Sequence, residues 1–349
     1  MSQSSELRLL LRHVLEHRAT LSREQSRHLL ELILHGDATE IEIAGLLGAL
    51  AARGETAEEI AGFVDAMRAA VTPIPLSDEE RSRLVDTCGT GGDTSGTFNI
   101  STAAALVAAA AGATVAKHGN RAVTSTSGSA DVLEALGISV DLDPAAAANA
   151  LRRHRFAYLH APALHPAMKS VMPVRRALGV RTVFNLLGPL TNPAGAPAQV
   201  MGVYSAHLVP LVAEAMLLLG TRHAFVVHGL SDAGQGIEQG LDEISISGPT
   251  HLAEVRDGSV RYSTLTPEEL GLARAPLSAL RGGDAVLNAQ ILREIFSGTA
   301  GPRREIVLAN AAALLTVSGH ASDLSAGITL ARHTIDSGAV DALIDALAC

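Results

Sequence analysis

A chain of 349 residues, 47% apolar and 18% charged, is long enough to bury a large core and longer than one ordinary domain. Its net charge of -9, its 3% aromatic content and its lack of Trp leave neither a basic surface nor stacking platforms, which argues against a nucleic-acid or anionic-membrane partner. Cys88 and Cys349 show neither disulfide nor zinc spacing and Met-Ser-Gln-Ser-Ser-Glu is no signal sequence, so the expected location is a reducing cytoplasm.

In chain order, residues 1–72 read as wholly helical. Leu7, Leu10, Leu11, Val14 and Leu15 share a face, and Ser22 with Gln25 and Thr56 with Glu59 form capping boxes ahead of apolar-periodic runs. Val71-Thr-Pro-Ile-Pro75 breaks the helical pattern, and a hinge is expected there. From Leu84 onward β-rich runs at 83–88, 113–116, 138–141, 156–160, 199–204 and 224–228 alternate with helical patterns such as 144–154, N-capped by Asp143, and 207–219. Such alternation predicts an α/β domain with a mostly parallel central sheet over 76–349, behind an all-helical N-terminal domain. The apolar stretch 103–116 is too short and too rich in small residues to span a bilayer and reads as a buried helix and strand. Residues 244–262 read as hairpin-like strands, and Thr266-Pro-Glu-Glu269 as the start of a helical region reaching almost to the end.

The first chemical signal is Asp86-Thr-Cys-Gly-Thr-Gly-Gly-Asp93, a strand running into a glycine-rich turn that ends on a carboxylate. Gly89, Gly91 and Gly92 let backbone N–H groups approach an oxyanion, and the helix start at Thr97-Phe-Asn-Ile-Ser-Thr102 adds further donors. The same pattern also serves as a mere tight connection. It is neither a Walker A loop nor a dinucleotide fingerprint, because no Gly-Lys-Ser/Thr follows and Thr94 occupies the position of the third glycine. At the end of the strand 113–116, Lys117-His-Gly-Asn-Arg121 and Thr124-Ser-Thr-Ser-Gly-Ser129 supply a point charge and hydroxyls at the same sheet edge, ahead of a helix at 131–136. Asp242 and Glu243, read as preceding a strand, suit magnesium if they face these loops, with the Ser101 hydroxyl as a further ligand; otherwise they are a solvated pair. Ala161-Pro-Ala-Leu-His-Pro-Ala-Met168 and Pro173-Val-Arg-Arg176 offer an arginine fork for a carboxylate, although a surface arginine is the commoner case.

Taken together and in order, Gly-Thr-Gly-Gly-Asp93, Asn99-Ile-Ser-Thr102, Lys117-His-Gly-Asn-Arg121, Gly128-Ser-Ala-Asp-Val-Leu-Glu-Ala-Leu-Gly137, His165-Pro-Ala-Met168, Arg181-Thr-Val-Phe-Asn-Leu-Leu-Gly-Pro-Leu-Thr-Asn-Pro193 and Gly240-Leu-Asp-Glu243 resemble the anthranilate phosphoribosyltransferase family of tryptophan biosynthesis. The resemblance spans roughly the whole chain, with Thr124 standing where a serine is usual. It implies transfer of a phosphoribosyl group from phosphoribosyl diphosphate to the amine of anthranilate. For the donor pocket it implies Gly89, Gly92, Asp93, Thr97, Asn99, Ile100, Ser101 and Thr102, together with Lys117, His118, Gly119, Asn120, Arg121, Ser125 and Ser129. For anthranilate it implies Gly89, Asn120 and Arg175, with His118 and His165 beside the access path. For magnesium it implies two ions, on Ser101, Asp242 and Glu243. It further implies a contribution of about 165–185 to the helical domain, and a homodimer through that domain; the apolar helices themselves fit internal core equally well. A pyrimidine nucleoside phosphorylase is similar in fold, but its glycine turn carries an insertion absent here. A nucleic-acid-binding relative would have a basic surface and would lack Asp242 and Glu243.

Overall fold

The computed structural model describes residues 3–121, 126–231 and 240–348. Four helices, Gln3–Leu15, Arg23–His35, Glu40–Arg53 and Ala57–Ala69, open the chain. Both expected capping boxes form, at Ser22 with Gln25 and at Thr56 with Glu59. Glu59 does more than cap: fully buried, it accepts the Leu21 N–H at 3.0 Å and pairs with Arg53 at 2.6 Å, tying the first interhelical loop and the end of the third helix to the fourth. Val171, Val174 and Phe184 pack in the same apolar cluster as Leu46, Phe63 and Val64.

Eight strands follow among the described residues: β1 (Leu84–Gly89), β2 (Thr114–Gly119), β3 (Phe156–His160), β4 (Ala198–Gly202), β5 (His223–Leu230), β6 (Gly240–Leu241), β7 (Thr250–Arg256) and β8 (Ser259–Leu265). The sheet order is β3-β2-β1-β4-β5-β7-β8, with β6 on β5; the first five strands are parallel, and β6, β7 and β8 join antiparallel. Strand order therefore reverses between β1 and β4, which opens a crevice at their carboxyl ends, the usual ligand position in such sheets. Gly89 pairs with Gly202 at that crevice. The Ala-rich helix Ile100–Ala110 and the helix Pro302–Val317 cover one face, and their small side chains let them pack closely against each other.

Three local expectations need correction. Residues 138–141 form no strand: Ile138 and Val140 are buried, but the segment has no ladder partner and links the helices Ser129–Ala135 and Pro144–His154. Residues 244–249 are loop, so the hairpin is β7–β8 alone, and Asp242 and Glu243 follow the short β6 rather than lead a strand. Thr266 and Glu269 do exchange capping hydrogen bonds, but Gly271 at φ 68° and Pro276 stop propagation, and the first α-helix after β8 is Ala285–Phe296. No helix among the described residues is long and apolar enough to cross a membrane.

Candidate active site

The glycine turn after β1 is held from three sides. Gly91 and Gly92 take φ of 67° and 74°, values that favour glycine. Thr90 N–H donates to Gly202 O at 2.9 Å, and Tyr204 N–H donates to Thr90 Oγ1 at 3.0 Å, which fastens the turn to the end of β4. Gly91 N–H donates to Asp242 Oδ2 at 2.7 Å. The approach of Asp242 demands bare backbone: a β-carbon on Gly89 would lie 2.1 Å from Asp242 Oδ2, and one on Gly202 would lie 1.6 Å from Asp242 O.

Three carboxylates meet here. Asp242 N–H lies 3.5 Å from Asp93 Oδ2, and Ser101 N–H donates to Glu243 Oε1 at 2.9 Å, so Glu243 occupies the first turn of the helix Ile100–Ala110. Burial, and then the Asp93 charge, push the Asp242 carboxyl up to about 7; burial, and then the Asp242 charge, hold Glu243 well above the usual carboxylate range. Lys117 is the cation among them: fully buried on β2, it donates to Thr87 O at 2.9 Å and to Ser101 Oγ at 3.3 Å. Two carboxylates, a hydroxyl and an excess of negative charge suit a magnesium ion that takes its remaining ligands from water and substrate phosphate. Among the described residues no three His, Cys, Asp or Glu side chains form a metal cage of their own.

The other predicted residues divide. Asn99 N-caps the helix Ile100–Ala110 without a capping side-chain bond; instead its Nδ2 donates to Ser127 O at 3.2 Å and its Oδ1 accepts from Asn288 Nδ2 at 2.9 Å, joining the turn to the loop ahead of Ser129. Thr97 bridges to Arg281. Ser129 begins the helix Ser129–Ala135 and is half-buried. Ile100 and Thr102 lie in the core; Ile100 N–H is used by Phe98 O, and the buried Thr102 hydroxyl has no partner among the described residues. Gly119 ends β2 against Tyr158, and Asn120 Oδ1 accepts the Arg121 N–H at 2.8 Å. Ser125, with Thr124, lies outside the described residues.

Arg121 forms an ion pair with Glu134 at 2.6 Å, with Asp131 and Asp141 also near. His118 follows Lys117 on β2 and so faces the opposite side of the sheet. There its Nε2 meets His165 Nε2 at 3.2 Å, one ring donating and the other accepting. Burial lowers His118 to about 3 and His165 to about 4, so both are neutral at pH 7 and neither brings charge to a phosphate. Arg175, on the helix Met172–Leu178, stands 5.3 Å over the Phe184 ring and has no carboxylate partner among the described residues.

Sequence reading quoted Arg181 within a motif but gave it no role; its guanidinium donates to Gly92 O and stacks 4.1 Å over Tyr204, closing the turn. It missed Asn288 and Asn310. Asn310 Oδ1 accepts the Ile244 N–H at 2.9 Å, which anchors the acidic loop to the helix Pro302–Val317. A lone amide inside the apolar run Ile306–Leu315 was the signal, since a buried amide requires a polar partner.

Comparison with known proteins places this geometry. The family described as "Glycosyl transferase family, a/b domain" matches residues 81–341, and "Glycosyl transferase family, helical bundle domain" matches residues 8–71. An anthranilate phosphoribosyltransferase of Anaeromyxobacter dehalogenans is 50% identical over 319 residues, 91% of each chain, and one of Moorella thermoacetica is 49% identical over 94% of this chain and 93% of its own. The anthranilate phosphoribosyltransferase of Thermus thermophilus superposes with a TM-score of 0.88 at 42% identity, covering 100% of this chain and 98% of that one. The Saccharomyces cerevisiae enzyme in complex with PRPP and Mg gives 0.85 at 29% identity, with 98% and 96% covered.

Proposed function

The chain belongs to the anthranilate phosphoribosyltransferase family of tryptophan biosynthesis, and from that premise we propose how its own residues divide the labour of moving the phosphoribosyl group from phosphoribosyl diphosphate to the amine of anthranilate. The observation that carries the reading is the junction of Gly91, Asp242, Glu243 and Ser101 at the carboxyl ends of β1 and β4. Backbone donors of the glycine turn and the Lys117 ammonium bind the diphosphate, and Asn99 with Ser129 shapes the pocket around the ribose. Asp242, Glu243 and Ser101 hold magnesium, two ions in this reading; bound there, the metal neutralises the charge that builds on the leaving diphosphate. Asn120 and Arg175, which has no carboxylate partner among the described residues, orient anthranilate, the arginine through a fork on its carboxylate. The aromatic amine is already neutral at pH 7, so positioning, rather than a strong general base, carries the step. This matches a site whose histidines stay uncharged.

The exposed Leu9, Leu15 and Ile41 of the helical region are assigned to contact with a second copy, and the protein to the cytoplasm. Loss of anthranilate fluorescence in the presence of magnesium and phosphoribosyl diphosphate, with diphosphate released in step, tests the reaction. No loss with folded protein, or loss without magnesium, contradicts it.

A further inference from the structure

We propose that the amino-end edge of the parallel sheet carries a second anion site, one that takes a small molecule bearing a polyphosphate chain. The edge holds a depression of about 670 Å³, within the size range of small-ligand pockets. Arg83, Arg155, Arg222 and Arg256 line it with His223 and His320, and Asp257 is the one carboxylate among the lining residues. Four arginines in one concavity stand out in a chain of net charge -9.

The topology gathers them. Arg83 precedes β1, Arg155 precedes β3, Arg222 precedes β5, and Arg256 ends the antiparallel β7. The catalytic crevice lies at the opposite ends of the same strands, a strand length or roughly 17–20 Å away, so none of the four belongs to the transfer machinery.

Two of the four are neutralised. Arg83 pairs with Glu79, and Arg256 with Asp257 at 3.3 Å. Arg155 and Arg222 have no carboxylate partner among the described residues. Each is aimed by one bond to a backbone carbonyl: Arg155 Nη1 donates to Gly112 O at 3.1 Å, and Arg222 Nη1 to Ser82 O. A guanidinium carries five N–H donors, so each fork retains capacity for an anion. Arg155 and His320 converge: a β-carbon on Gly112 would lie 3.1 Å from Arg155 Nη1 and 3.7 Å from His320 Nε2.

Arg155 also sits at φ 57°, closing the helix Pro144–His154 in the left-handed conformation where glycine is usual. A long cationic side chain is thus kept at a backbone position that disfavours it, a pattern associated with function. Guanidinium forks match phosphate oxygens, and several in one depression suit consecutive phosphates better than a single carboxylate. Inorganic polyphosphate and nucleoside triphosphates share that chemistry.

Calorimetric titration of the full chain with sodium tripolyphosphate and, separately, with ATP, without magnesium and at physiological ionic strength, tests the site. Wild-type protein is expected to bind, and the double variant Arg155→Gly with Arg222→Gln to bind about tenfold or more weakly, with kcat/KM for transfer unchanged. Arg155→Gly relaxes the left-handed backbone, so the variant retains its fold, and Arg155→Lys keeps part of the affinity through its charge. Tighter binding of ATP assigns a nucleoside to the depression as well; equal binding assigns the phosphate chain alone. No binding by wild type, or affinity the double variant leaves unchanged, overturns the proposal.

Discussion

Asp242 Oδ2 accepts the Gly91 N–H at 2.7 Å, across 151 residues of sequence, and this bond joins the acidic loop after β6 to the glycine turn after β1. It brings a carboxylate to the place where a diphosphate is expected, an arrangement that is repulsive without a cation between them. On the proposed reading, metal and substrate bind there together.

Replacing Asp242 by Asn removes one negative charge with little change of shape. The magnesium concentration for half-maximal activity is expected to rise at least about 10–100-fold, the scale seen when metal-site partners are lost. Chelation of the metal in wild type should abolish transfer and restore it on readdition. Unchanged magnesium dependence in the variant would remove Asp242 from the metal site.

Gly202→Ala would drive a β-carbon to within 1.6 Å of Asp242 O, a backbone atom with no freedom to rotate away. Overpacking of this kind costs about 1–3 kcal/mol. The expected result is a lower melting temperature with a loss of kcat, whereas Gly258→Ala, at a hairpin turn with nothing within 4 Å, should spare kcat. Equal kcat in both variants would show that the acidic loop tolerates displacement.

Arg175→Ala should raise KM for anthranilate about tenfold or more, the effect of losing a charge-assisted hydrogen bond worth about 1.5–3 kcal/mol. KM for phosphoribosyl diphosphate should change little. Equal weakening of both substrates in steady-state kinetics would sink the assignment.

The buried pair His118 and His165 makes stability depend on pH. In the unfolded chain each ring binds a proton below about 6.5; in the folded chain neither does until about 3 and about 4. Unfolding therefore takes up protons as the pH drops, and stability falls from about pH 6.5 towards pH 4, by at most about 1.4 kcal/mol per pH unit for each ring. Urea midpoints measured from pH 7 to 4.5 should decline in wild type and decline less in His165→Gln. Identical slopes would mean that the pair does not govern this window.

Much of this was legible in the sequence, for reasons that differ by element. The capping boxes at Ser22 and Thr56 are local and formed as read. The helix 144–154 with its Asp143 cap was equally local. The motifs at Gly89–Asp93, Lys117 and Asp242–Glu243 were found because their residue types are unusual, but their meeting depends on sheet order, which periodicity does not encode. Ile138 and Val140 look like a strand by alternation and are only a buried link, since alternation reports burial rather than a ladder partner. His118 and Arg121 flank Lys117 and Asn120 in sequence, yet strand alternation turns His118 to the other face of the sheet and Arg121 pairs with Glu134. Arg181 was read as part of a motif but given no role, because a surface arginine and a latch on Gly92 look the same in one dimension.

The central claim is that Asp242, Glu243 and the glycine turn form one magnesium-dependent diphosphate site. Titration of phosphoribosyl diphosphate into wild-type and Glu243→Gln protein by calorimetry, each with and without magnesium, tests it most directly. The account predicts that magnesium strengthens binding to wild type and that most of this gain disappears in Glu243→Gln, while affinity without metal stays level or improves as the negative charge is removed. A magnesium gain of the same size in both proteins would contradict it.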